Sequence, residues 1–157
     1  MTDLSDLYQE IIVDHSKRPR NNARPPGHSH MAEGHNPLCG DSINVYVTLA
    51  DGRVADVGFE GRGCAISVAS ASLMTEAVKG KTLAEARAMF HAFHRMATGK
   101  DEAPDDDVGA LPQDDSMDKL AALEGVRDFP VRVKCATLAW HTFQAALEQR
   151  AQPVSTE

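Results

Sequence analysis

Cysteine occurs three times in this 157-residue chain, and each copy stands where the backbone must turn or a helix must begin. Cys39 lies in Asn36-Pro37-Leu38-Cys39-Gly40-Asp41, which sets a thiol and a carboxylate two residues apart. Cys64 closes Gly61-Arg62-Gly63-Cys64, and Cys135 ends Val133-Lys134-Cys135. Three thiols and the Asp41 carboxylate make a tetrahedral ligand set, and thiolate-rich sites of this kind hold Zn²⁺ or an iron–sulfur cluster. There is no Cys-x-x-Cys pair, so spacing leaves a second reading open, in which the cysteines are small buried hydrophobes. Their placement at glycine-rich or helix-start positions, outside apolar stripes, brings the ligand reading level with it.

For such distant thiols to meet, the elements between them must fold back. Ile43, Val45, Val47 and Leu49 alternate with Asn44, Tyr46 and Thr48, Asp51-Gly52 supplies a two-residue turn, and Val54 to Glu60 runs back, which predicts a β-hairpin. An antiparallel pair returns the chain to its starting level, so Cys64, just past the second strand, comes beside Cys39 and Asp41. Ala65 to Val78 reads as a helix closed by Lys79-Gly80, with Cys64 at its N-terminus, where free N–H groups and the helix dipole favour a thiolate. Pro130 suits the first turn of a last helix whose apolar face (Leu138, Ala139, Phe143, Ala146, Leu147) runs to about Gln149, and Cys135 falls in its early turns.

The remaining segments frame these. Leu4, Leu7, Tyr8, Ile11 and Ile12 predict a helix over about residues 3 to 16, followed by a long, partly basic loop through Arg24, His28 and His30. Thr82 to Glu85 forms a capping box opening a helix to Gly99. Residues 99–118 hold eight Asp or Glu against one Lys and read as a solvated acidic insertion, followed by a short helical turn at Leu120 and Leu123. The expected fold is α+β, a small antiparallel sheet with helices packed on one face, all in one domain over 1–157.

Composition restricts function. With 42% hydrophobic residues the chain can bury a sizeable core without disulfides. Three cysteines, an odd number, together with the lack of a charged-then-apolar leader or a long apolar run, lead to the expectation of a cytoplasmic protein that does not enter membranes and whose thiols are free or metal-bound. A formal charge of -7 disfavours a general nucleic-acid role. His91 and His94, three apart on a predicted helix, offer a second metal site that lacks a carboxylate, and His28, His30 and His35 read as surface histidines near Cys39. Trp140 and Phe143 read as core.

At the cysteines the chain resembles the IscU/NifU N-terminal family of iron–sulfur assembly proteins, most closely its SufU branch. The resemblance rests on Asn36-Pro37-x-Cys39-Gly40-Asp41, on Gly61-x-Gly63-Cys64-Ala65-Ile66-Ser67-x-Ala69-Ser70-x-Ser72-x-Met74-Thr75-Glu76, and on Lys134-Cys135-Ala136-Thr137-Leu138-Ala139-Trp140. Leu7 to Asp14-His15 and Pro19-Arg20-Asn21 extend it over nearly the whole chain. Two departures from the scaffold-type pattern point to the SufU branch. Lys134 stands where scaffolds have His before the third Cys, and Asp128-Phe129-Pro130-Val131-Arg132 replaces their chaperone-recognised Leu-Pro-Pro-Val-Lys. The acidic insertion between Cys64 and Cys135 fits that branch too.

The resemblance implies a SufE/NifU-like, IscU-type fold, Zn²⁺ held by Cys39, Asp41, Cys64 and Cys135, and a sulfurtransferase activity. Cys39 would accept persulfide sulfur from a SufS-like cysteine desulfurase, freed as a desulfurase His takes over a zinc position, and the protein would stimulate desulfurase turnover. Downstream iron–sulfur assembly proteins are the implied onward partners, and the free protein is expected to be a monomer. The alternative is a scaffold on which the same four residues bind a nascent Fe–S cluster. Three thiolates and a carboxylate around one Zn²⁺ leave excess negative charge, which Lys134, with Arg62 and Arg132, is placed to offset.

Overall fold

The computed structural model describes residues 4–99, 112, 115, 117–149 and 153–155, so most of the acidic insertion expected at 99–118 lies outside the described residues. The elements run α1 (Leu4–Lys17), β1 (His30–Asn36), β2 (Asp41–Ala50), β3 (Arg53–Arg62), α2 (Ala65–Val78), α3 (Leu83–Thr98), a run of 3₁₀ turns (Lys119–Asp128), α4 (Pro130–Leu147) and β4 (Val154–Ser155). The hairpin forms where its turn chemistry dictates. Asp51 and Gly52 take φ of 54° and 74°, the left-handed pair whose twist matches the flanking strands. The ladder then runs from Ala50↔Arg53 to Ser42↔Arg62, with one register shift at Thr48/Leu49.

Two features correct the sequence reading. The stretch before Cys39, expected as loop from Lys17 onward, contains β1, which pairs antiparallel with β2 from His30↔Val47 to Asn36↔Asp41. Its sequence, His-Met-Ala-Glu-Gly-His-Asn, buries only Ala32, Gly34 and Asn36, so no hydrophobic alternation announces it. Close packing against α4 replaces side-chain bulk there: a Cβ on Gly34 would overlap Thr142 Oγ1. The sheet is also mixed rather than wholly antiparallel. β4 pairs parallel with β1 at Gly34↔Val154 and His35↔Ser155, giving the order β3-β2-β1-β4.

The inner face of the sheet carries Ile43, Val45, Val47, Val54, Val57 and Phe59, all buried, and α2 and α4 lie against it. α2 is buried on almost every side, which its Ala- and Ser-rich sequence permits, and Ser70 Oγ donates to the Ala136 carbonyl to satisfy a polar group between α2 and α4. Trp140 and Phe143 are core, as read, with Trp140 stacked 5.0 Å from Phe93 of α3. The predicted capping box of α3 forms in full, and Gly99 ends the helix in the left-handed conformation. The apolar stripe of α1 packs in part: Ile11 and Ile12 lie against the core while Leu7 is exposed, and the deepest anchor is His15, whose Nδ1 lies 2.7 Å from Ser72 Oγ.

Candidate metal centre

The β1–β2 turn presents the first candidate ligands. The Cys39 N–H donates to the Asn36 carbonyl at 3.2 Å and the Gly40 N–H to the Pro37 carbonyl at 3.4 Å, with Gly40 at φ 67°, a conformation glycine adopts without strain. Cys39 emerges half-buried from this turn, and Asp41, 2% exposed, starts β2. The hairpin brings Gly63 and Cys64 to the same level, as its antiparallel return predicts. Asp41 Oδ1 accepts the Cys64 N–H at 2.9 Å, an approach open because residue 63 is Gly: a Cβ there would overlap Asp41 Oδ1. Cys64 is the N-cap of α2, its sulfur accepting from the Ser67 N–H at 3.5 Å and lying 4.0 Å from Asp41 Oδ2.

Cys135 arrives from α4, fully buried, with its Sγ 3.1 Å from Cys39 Sγ. Ligand atoms of Cys39, Asp41 and Cys135 all lie within 4.8 Å of one another, the sole group of three or more potential ligands so close among the described residues. Cys64 flanks this trio through Asp41, and its thiol also bears on that of Cys135. Burial, with the neighbouring Cys39, Cys64 and Asp41 side chains, pushes the Cys135 thiol well above the usual cysteine range. A bare thiolate is therefore unfavourable at this spot. A divalent cation would reverse that balance, and thiols with one carboxylate are a donor set that suits Zn²⁺.

One residue of the centre escaped the sequence reading as a participant. Asn36, fully buried at the end of β1, donates from Nδ2 to Asp41 Oδ2 at 3.2 Å and to Cys135 Sγ at 3.4 Å. Its only signal was its place at the head of the Asn36-Pro37 run. Of the cations expected to support the centre, Arg62 is exposed at the end of β3 and Lys134 half-buried next to Cys135 in sequence, while Arg132 lines an open groove of about 980 Å³ with Tyr8, Ile12, Ile66, Val126 and Phe129. Leu38, Phe129 and Val131 are exposed apolar side chains on the turn and helix that carry Cys39 and Cys135. Among the described residues no histidine joins the thiol cluster; His28 packs edge-on to Tyr46, His30 contacts Ser29 and Gln149, and His94 meets His141 with ring centres 5.4 Å apart.

Residues 7–111 match the profile of the NifU-like N terminal domain, which includes Cys39, Asp41 and Cys64. The chain belongs to this family. It is 42% identical over 143 residues to the zinc-dependent sulfurtransferase SufU of Bacillus subtilis, covering 90% of this chain and 89% of that protein. It is 36% identical to the iron–sulfur cluster assembly scaffold protein IscU of Streptococcus pyogenes serotype M1, over 96% of this chain and 89% of that one. The crystal structure of a nitrogen-fixing NifU-like protein (N-terminal) from Brucella abortus superposes with a TM-score of 0.75 at 27% identity, covering 93% of this chain and 95% of that one. The α+β fold with its small sheet is thus the family's, and no helix among the described residues is long and apolar enough to cross a membrane.

Proposed function

We propose that the protein is a zinc-dependent sulfurtransferase of iron–sulfur cluster biogenesis, with Cys39, Asp41, Cys64 and Cys135 as the zinc ligands and Cys39 as the sulfur acceptor. The observation that carries this reading is the convergence of Cys39, Asp41 and Cys135 within 4.8 Å, with Cys64 alongside. Similarity to SufU over nine-tenths of the chain supports it, as does a Lys at position 134.

When bound, zinc supplies the positive charge that keeps the sulfurs as thiolates near neutral pH without redox chemistry. The Cys39 thiolate attacks the outer sulfur of a persulfide on the desulfurase. A new S–S bond forms at Cys39, the S–S bond on the donor breaks, and the donor cysteine leaves as a thiolate with the electron pair, so there is no net oxidation. Cys39 suits the role because it is half-buried on a turn, whereas Cys135 is enclosed in α4. Asp41 contributes a harder, more exchangeable ligand. Arg62, Arg132 and Lys134 offset the centre's excess negative charge and, with the exposed Leu38, Phe129 and Val131, form the rim against which a cysteine desulfurase docks. The setting is cytoplasmic, the whole chain works as one domain, monomeric when free, and downstream assembly proteins take the sulfur onward.

The test is the Cys39→Ala variant with a partner desulfurase and cysteine. Stimulation of turnover should vanish, and the wild-type peptide bearing Cys39 should gain one sulfur by mass; intact stimulation in the variant overturns sulfur transfer at Cys39. The scaffold alternative, in which the same residues hold iron and sulfide, is supported by the likeness to IscU scaffold proteins.

A further inference from the structure

We propose that Asn36 is the positioning residue of this centre, its side-chain amide holding Asp41 and Cys135 in place as the ligands that stay while Cys39 is used. The inference rests on the proposed metal reading and concerns a residue outside the ligand set. Asn36 is fully buried, and the two hydrogens of its Nδ2 are aimed at two different ligands, Asp41 Oδ2 at 3.2 Å and Cys135 Sγ at 3.4 Å. Those ligands come from β2 and α4, so one amide spans the gap between sheet and helix. Through its carbonyl Asn36 also accepts the Cys39 N–H, which fixes the turn but leaves the Cys39 side chain outside its grip.

The direction of the amide is set by charge. Turned the other way, its oxygen would face a carboxylate and a sulfur, both acceptors, whereas the NH₂ group donates to both. The cost is visible: Asn36 Oδ1 is buried with no partner among the described residues. Native structures satisfy most buried polar atoms, and one left unmade beside two well-directed donors marks a side chain kept for its donors. N–H donors to a coordinating thiolate and carboxylate orient their lone pairs and hold the site's charge, and losing such outer contacts typically weakens metal affinity by about 10–100-fold.

The test uses two variants of the full chain, Asn36→Leu, which keeps most of the volume and removes both donors, and Asn36→Ala. Zinc affinity is read by competition with a chromophoric chelator, and ligand arrangement by the sulfur-to-metal charge-transfer bands of the Co²⁺-substituted protein. Metal-free melting curves establish that each variant folds. The donor role predicts an affinity loss of about tenfold or more in both variants, with altered charge-transfer bands. A packing role predicts that Asn36→Leu matches the wild type in affinity and spectrum, and that result overturns the proposal; if the Leu variant does not fold, wild-type affinity in Asn36→Ala does so. Zinc-free wild type, by contrast, would remove the metal reading itself, and this inference with it.

Discussion

Both Asp41 oxygens already accept a hydrogen bond, and each keeps a lone pair for a cation. Oδ1 takes the Cys64 N–H and Oδ2 the Asn36 amide, so the carboxylate is oriented before any cation arrives. Gly63→Ala would force a methyl group into Oδ1. The expected outcome is a stability loss of about 1–3 kcal/mol from overpacking, together with a zinc affinity at least about tenfold weaker. Thermal melts and chelator competition check it, and wild-type affinity would show that the carboxylate's position does not matter. Lys134→Ala should weaken zinc retention or slow sulfur acceptance if the cation offsets excess negative charge; unchanged behaviour in both assays removes that role. The thiols and Asp41 were legible in the sequence because their chemistry is intrinsic to residue type. Asn36 was not, since its role arises only from the Asn36↔Asp41 register and from a helix far along the chain.

At the scale of elements, α1 is held by a buried histidine as well as by Ile11 and Ile12 of its apolar stripe. Ser72 Oγ already accepts the Arg20 N–H, so its own hydrogen can go to His15 Nδ1, leaving Nε2 toward Glu76 Oε1 at 3.5 Å. Burial lowers the His15 pKa, Arg20 and Lys119 add to that, and Glu76 and Asp14 oppose it. Because the folded value lies below the unfolded one, the unfolded chain takes up the proton first. Stability is then full above about pH 6.5 and falls as the pH drops from there through the folded value. Metal-free protein should therefore melt at a lower temperature at about pH 5.5 than at about pH 7.5, and His15→Gln should flatten that slope while lowering the melting temperature at the higher pH. An unchanged slope in the variant would assign the pH dependence elsewhere. The hairpin, α2, α3 and α4 were readable from turn residues, caps and periodicity. β1 was hidden because its buried positions are Ala, Gly and Asn, and β4 because two residues carry no pattern.

Across the whole molecule, the centre joins a β-turn, the start of α2 and the body of α4, segments far apart in the chain. In the proposed reading, metal binding is coupled to their docking. Stripping zinc with a chelator should lower the melting temperature by about 8 °C or more, since a ligand present at a thousand times its Kd stabilises by about 4 kcal/mol. Identical melts with and without metal would mean that the segments dock without it. A net charge of -7 with Arg62, Arg132 and Lys134 near the thiols in sequence would give the proposed donor enzyme a defined approach. The most direct test of the central claim is to determine metals and acid-labile sulfide together on protein freshly purified under anaerobic conditions without added metal. A zinc-dependent sulfurtransferase should carry about one zinc per chain and no sulfide; iron with matching sulfide in its place would contradict that reading.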